Sequence, residues 1–227
     1  MKTAHAAFIC ILAFLLSACV TGDEITGYVI EPDGSISFSI YRMNLNSNES
    51  GEKAKEELAN YIRDLEKQSG DFFTKLAKAN AKEVKVTILR RTAPASVLIT
   101  GRIPSLHDLA AYLSGKSDEE SFVCTAISRE RMRGIHCQYT QNPSKEKAKT
   151  EKSEAEKAQS ELARTRGDSF SETRIALSDG SFTKAQGFLI ARDKRSALFA
   201  LDTPPGVEDL EIQSATLSIE WEIHEAK

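Results

Sequence analysis

Apolar and polar residues alternate along most of this chain, and in two places the period lengthens. Ile36, Phe38 and Ile40 alternate with Ser37, Ser39 and Tyr41, the pattern of a half-buried strand. Residues 25–31 read as the strand before it. Pro32-Asp33-Gly34-Ser35 lies between them as a tight hairpin turn, because Asp-Gly readily takes up positive φ. Residues 44–51 are a polar loop. Over residues 52–68 Ala54, Leu58, Tyr61, Ile62 and Leu65 recur at steps of three and four, which predicts an amphipathic helix. Ser69-Gly70 ends it. Asp71 is placed to cap a second helix with Phe72, Phe73, Leu76 and Ala79 on one side.

Residues 83–91 return to period two, with Val84, Val86 and Ile88 set against Lys85 and Thr87. Residues 95–102 form a further strand. Ser105 caps a short helix through Leu113, with Asp108 three positions on and Gly115 closing it. Strands over 120–128 and 134–141 follow. Residues 170–177 lead into Ser178-Asp179-Gly180-Ser181, a second Asp-Gly turn, from which residues 182–191 pair back. Residues 196–201 form a strand, and Thr203-Pro204-Pro205-Gly206 a turn. In the last strand Leu210 and Ile212 have one parity and Leu217, Ile219, Trp221 and Ile223 the other, which predicts a bulge or bend near residues 213–216. Hairpin connections dominate. The expected fold is α+β, a mostly antiparallel sheet with two or three helices packed on one face.

Residues 142–167 break the pattern. Seven Lys or Arg and five Glu surround Leu162, the only larger aliphatic there. Such a segment is a charged helical or disordered insertion, serving either as a partner-binding arm or as an excursion of a surface loop. It divides an α+β region, residues 19–141, from a β-rich region, 168–227, that completes the same domain.

The N-terminus has a different character. Lys2 precedes an uncharged apolar run over residues 6–16, about half the roughly 20 residues a spanning helix needs. Ser17 and Ala18 then lead to Cys19, the layout of an export signal over residues 1–18. Leu16-Ser17-Ala18-Cys19 resembles the bacterial lipoprotein signal at all four positions. The resemblance implies cleavage before Cys19, diacylglycerol on its sulfur and an acyl chain on its new amino group. An ordinary signal peptide or an uncleaved anchor is the alternative. Several acyl chains make a stable attachment where one does not. By the same resemblance Val20, in place of Asp, directs the protein to the outer membrane, facing the periplasm. Residues 20–24 are the whole tether to the first strand-like position, a reach of at most about 18 Å, so the domain is expected close to the bilayer.

Loss of residues 1–18 moves the formal net charge from −3 to −4, which gives no electrostatic basis for nucleic-acid binding. Of four cysteines, Cys10 leaves with the signal and Cys19 carries lipid. Cys124 and Cys137 remain, in an oxidising compartment. A hairpin that pairs residue 124 with 137 also pairs 129 with 132 and leaves Glu130-Arg131 as the turn. That register predicts a cross-strand disulfide closing a loop of about 14 residues, worth about 3 kcal/mol. A metal or redox pair is the alternative, without CxxC spacing or nearby His partners to support it. His107, His136 and His224 show no pairing with an acid and a nucleophile. Phe38, Phe122, Phe182, Phe188, Phe199 and Trp221 lie at strand-core spacing. No catalytic residue, cofactor or metal site is expected.

The lipoprotein signal, a first strand, the turn Glu31-Pro32-Asp33-Gly34-Ser35, a serine-rich strand and an amphipathic helix together resemble the LppM-type bacterial lipoproteins. Glu31 stands where that family often has Asn. The resemblance covers residues 19–65 and implies a β-rich domain that binds lipid or glycolipid; it carries over no binding residue. The expected role is that of a non-enzymatic, membrane-anchored envelope lipoprotein with a binding or structural function and an envelope protein or lipid as partner. The alternatives are an amphiphile carrier with an apolar cavity, or an envelope hydrolase whose residues converge from distant positions.

Overall fold

The computed structural model describes residues 20–116, 120–141, 171–200 and 214–223. Cys10, Cys19, residues 142–167, Leu210, Ile212 and His224 lie outside them.

Two sheets and three helices make up the described residues. Strands β1 (Val20–Ile30) and β2 (Ile36–Ser47) form a hairpin, followed by helices α1 (Gly51–Glu66) and α2 (Asp71–Lys78). Strands β3 (Lys82–Arg90) and β4 (Ala95–Ile103), helix α3 (Leu106–Leu113) and the short β5 (Gly115–Lys116) come next. Strands β6 (Glu120–Arg129) and β7 (Met132–Gln141) form a second hairpin. The rest comprises β8 (Ser171–Leu177), β9 (Ser181–Gln186), β10 (Leu189–Ile190), β11 (Ser196–Ala200) and β12 (Ser214–Glu222). The seven-stranded sheet has the order β10-β11-β8-β1-β2-β4-β3, and the five-stranded sheet β5-β6-β7-β12-β9. All pairings are antiparallel except β1 with β8.

The fold is therefore α+β and mostly antiparallel, as the alternation predicts. Two features differ from expectation. There are two sheets, and the helices do not form one layer packed on a single sheet. Only α1 is long. It packs over β1, β2 and β3, whereas α3 lies chiefly against β6 of the other sheet and touches β4 and β7. The reason is the width of the seven-stranded sheet, whose inner face no single helical layer covers. Helices roof its β2-β4 half, and the five-stranded sheet and α3 roof the β1-β8 half. Tyr28, Phe38, Ile40, Val97 and Ile99 are buried on that inner face, each contributing about 1.5–3 kcal/mol of transfer free energy.

The two Asp-Gly-Ser turns serve different ends. At residues 32–35 the expected hairpin forms, with Gly34 at φ 82° and Glu31 and Ser35 joined by a backbone hydrogen bond of 2.8 Å. Arg102 of β4 clamps this turn, its Nε donating to Ser35 Oγ at 2.8 Å. At residues 178–181 the expected hairpin does not form. β8 ends beside Ile30, whose carbonyl accepts from Ser178 N at 3.0 Å, while Ser181 pairs with Glu222 in the other sheet. The turn carries the chain between sheets, so residues 182–191 do not pair back on 170–177. They divide instead into β9, beside β12, and β10, beside β11.

Smaller corrections follow the same logic. Gly70, at φ 97°, holds the cap position of α2, and Asp71 falls in its first turn. Ser105 Oγ accepts from Asp108 N at 3.1 Å, the predicted cap of α3, but Ser114 rather than Gly115 closes that helix. The register shift of β12 lies at Glu220/Trp221 against β9; its pairing with β7 is unbroken from Ser214. Residues 20–24 are not a tether. They belong to β1, Val20 is only 2% exposed, and it pairs with Ser47.

Candidate functional site

The inner faces of the two sheets do not close fully on each other. Between them lies a cavity of about 70 Å³. Strands β1 and β8 run parallel beneath it, with Glu24 beside Ser171, Thr26 beside Thr173 and Tyr28 beside Ile175. One end of this floor is thus polar and the other apolar. The roof is apolar except for the Tyr112 hydroxyl: Ile135 and Cys137 from β7, Leu217 and Ile219 from β12, and Leu109, Tyr112 and Leu113 from α3. Phe188 and Phe199 close one side, their ring centroids 5.5 Å apart.

The polar end is built from a buried ion pair. Glu24 and Arg42 stand opposite each other in the β1–β2 register and so share the inner face. Arg42 Nε donates to Glu24 Oε2 at 2.8 Å, and Arg42 Nη1 to Tyr61 Oη of α1 at 3.1 Å. The guanidinium carbon lies 4.6 Å from the ring centroid of Phe72, a cation–π contact from α2. Thr26 Oγ1 donates to the other Glu24 oxygen at 3.1 Å. Arg42 is 5% exposed and lies outside the cavity lining, whereas Glu24 is part of it.

Burial opposes the charge on Arg42, but Tyr61 and Glu24 outweigh it and raise its pKa. Tyr112 and Tyr28 are pushed up, chiefly by burial and further by Glu24. Tyr61 is raised by burial despite the opposing pull of Arg42. All three phenols are neutral at physiological pH and keep their O–H as donors.

The residues singled out from sequence fall elsewhere or at the margin. Cys124 and Cys137 pair in the predicted register, with Arg129 opposite Met132, and are joined by a disulfide. Cys137 contributes to the roof of the cavity. His107 is exposed on α3, and the neighbouring Asp108 accepts from Ser105 Oγ and from Asn80 Nδ2. His136 is half-buried on β7, one position from Cys137 and so on the other face. Neither histidine lines the cavity. Of the six aromatics, Phe38, Phe122, Phe182 and Trp221 are buried in the core, and Phe122 lines the cavity together with Phe188 and Phe199. Among the described residues no group of three or more His, Cys, Asp and Glu is placed to hold a metal ion, and no helix is long and apolar enough to cross a membrane. Sequence reasoning missed Glu24 and Arg42, which stand directly opposite in the hairpin once the turn at residues 32–35 sets the register.

Fold and cavity define a two-sheet α+β module with an apolar chamber between its sheets. No family model matches the chain, and no curated protein matches it. Among solved structures it is similar to the NMR structure of the folded domain of the Mycobacterium tuberculosis LppM protein, with 10% identity over 92% of each chain and a TM-score of 0.43.

Proposed function

We propose that the protein is a non-enzymatic binding module of the bacterial envelope, anchored through Cys19, that takes the apolar end of an amphiphile into the chamber between its sheets. The observation that carries this reading is the chamber itself. A cavity lined by leucine, isoleucine and phenylalanine and polar at one end suits a ligand with one apolar and one polar end. Its volume is about half the roughly 150 Å³ that holds a benzene ring. It therefore admits the tip of an alkyl chain rather than a whole acyl chain.

The test is a titration with hexan-1-ol followed by methyl NMR. Ile175, Leu217 and Ile219 methyl signals shift saturably, while those of Ile36 and Leu45, in the core away from the chamber, stay in place. The variant Leu217→Trp, melting like the native protein, loses the response. Uniform shifts or none would overturn the reading. The anchor has its own test: metabolic labelling with a palmitate analogue marks the native chain and not Cys19→Ser. Because Val20 already belongs to β1, acylation at Cys19 leaves no free tether and holds the module directly against the bilayer.

A further inference from the structure

Resting on that reading, we infer that the chamber selects amphiphiles whose headgroup donates hydrogen bonds, an alcohol or an ammonium, and rejects those whose headgroup is an anion. The argument turns on Glu24. Glu24 lines the cavity, and its side chain is 12% exposed. It has two hydrogen bonds, from Arg42 Nε to Oε2 and from Thr26 Oγ1 to Oε1. A carboxylate has about four acceptor positions. Because Glu24 lines the chamber, a donor there can take up the remaining capacity, and a buried anion gains most from one.

The cation that balances Glu24 does not offer itself to a ligand. Arg42 is committed to Glu24 and Tyr61, lies over the Phe72 ring, and is outside the cavity lining. An incoming carboxylate or phosphate would therefore meet the Glu24 charge first, in a wall of low polarity where like charges repel strongly. The other polar groups at that end, Thr26, Ser171 and Thr173 on the floor and Tyr112 in the roof, are hydroxyls, which serve a neutral alcohol or an ammonium equally well.

Three ligands of one chain length separate the possibilities: hexan-1-ol, hexylamine and hexanoate at pH 7.5, titrated against the whole chain by the same methyl signals. The alcohol and the amine bind at least tenfold more tightly than hexanoate. In Glu24→Gln, which leaves Arg42 without its counter-ion, hexanoate gains at least tenfold and the order inverts. Thr26→Val frees Glu24 Oε1 and strengthens hexylamine without strengthening hexanoate; it covers the case in which Glu24→Gln does not fold. Equal binding of all three ligands, or tightest binding of hexanoate, would overturn the headgroup assignment and leave the chamber reading standing. Absence of binding by all three overturns both.

Discussion

Glu24 and Arg42 face each other across the first hairpin, and both lose most of their water to helices and strands that arrive later in the chain. Truncating one partner strands the other as a buried charge. Arg42→Met is therefore expected to cost about 3–5 kcal/mol, whereas the double variant Glu24→Gln/Arg42→Met returns to within about 1 kcal/mol of native. Urea titrations of the four proteins in this cycle check the coupling. Additive losses would show that the two charges act separately.

The Cys124–Cys137 bridge closes the β6–β7 hairpin beneath the chamber roof. Replacing both residues with alanine is expected to lower stability by about 3 kcal/mol, seen in calorimetry as a fall in Tm of about 10 °C. The same fall should follow reduction of the native protein, and reduction should leave the double variant unchanged.

Identical Asp-Gly-Ser turns predict unequal tolerance to substitution. Both glycines have positive φ, 82° at Gly34 and 98° at Gly180. A Cβ at Gly34 meets no atom within 4 Å, whereas one at Gly180 runs into the backbone carbonyl of Glu222. Gly34→Ala should cost about 1–2 kcal/mol, the strain of a left-handed residue alone. Gly180→Ala adds a clash that forces the two sheets apart and should cost more than about 3 kcal/mol. Paired thermal melts decide it.

Alkali should unfold the protein through its tyrosines. The folded-state pKa values of Tyr28, Tyr61 and Tyr112 lie above the unfolded value of 10.0. Raised values mean that the unfolded chain loses protons first. The contribution of these residues is whole below about pH 10 and falls as pH rises through the folded values. Phenolate absorbance measured against pH should show these three remaining protonated until a cooperative transition in circular dichroism. Independent titration of all the tyrosines near pH 10 would contradict the burial described here.

Asp33 works in the opposite direction. Hydrogen bonds from Ser35, with Arg102 beside it, hold its carboxyl below the ordinary aspartate value of 3.8. Its stabilising effect is present above that value and is lost on acidification below it. Asp33→Asn should flatten the acid limb of the stability curve without changing the alkaline limb.

Local pattern made much of this fold legible. The period-two runs place the strands, the 3.6 period places α1, and equal spacing about residues 130–131 fixes the Cys124–Cys137 register. What pattern does not encode is which face meets which. Leu177 and Phe182 alternate as one hairpin would, yet they belong to different sheets, because the turn between them is read by its backbone surroundings and not by its own residues. The chamber was hidden for the same reason. Glu24 sits among polar neighbours before the first clear strand, and only the register with Arg42 and the cover from α1 make it a buried charge. Phe122, Phe188 and Phe199 have the spacing of core residues, and only packing across two sheets shows that they border a void.

The parallel pairing of β1 with β8 has a consequence for how the chain reaches this state. The first strand lies in the middle of its sheet, but one of its two partners begins at Ser171. Likewise β7 waits for β12, which begins at Ser214. A chain shortened to residue 141 would expose both strands as open edges, templates for association with other chains. Assembly is thus postponed until nearly the whole polypeptide is present, and the contacts that complete each sheet are the ones most distant in sequence and slowest to form.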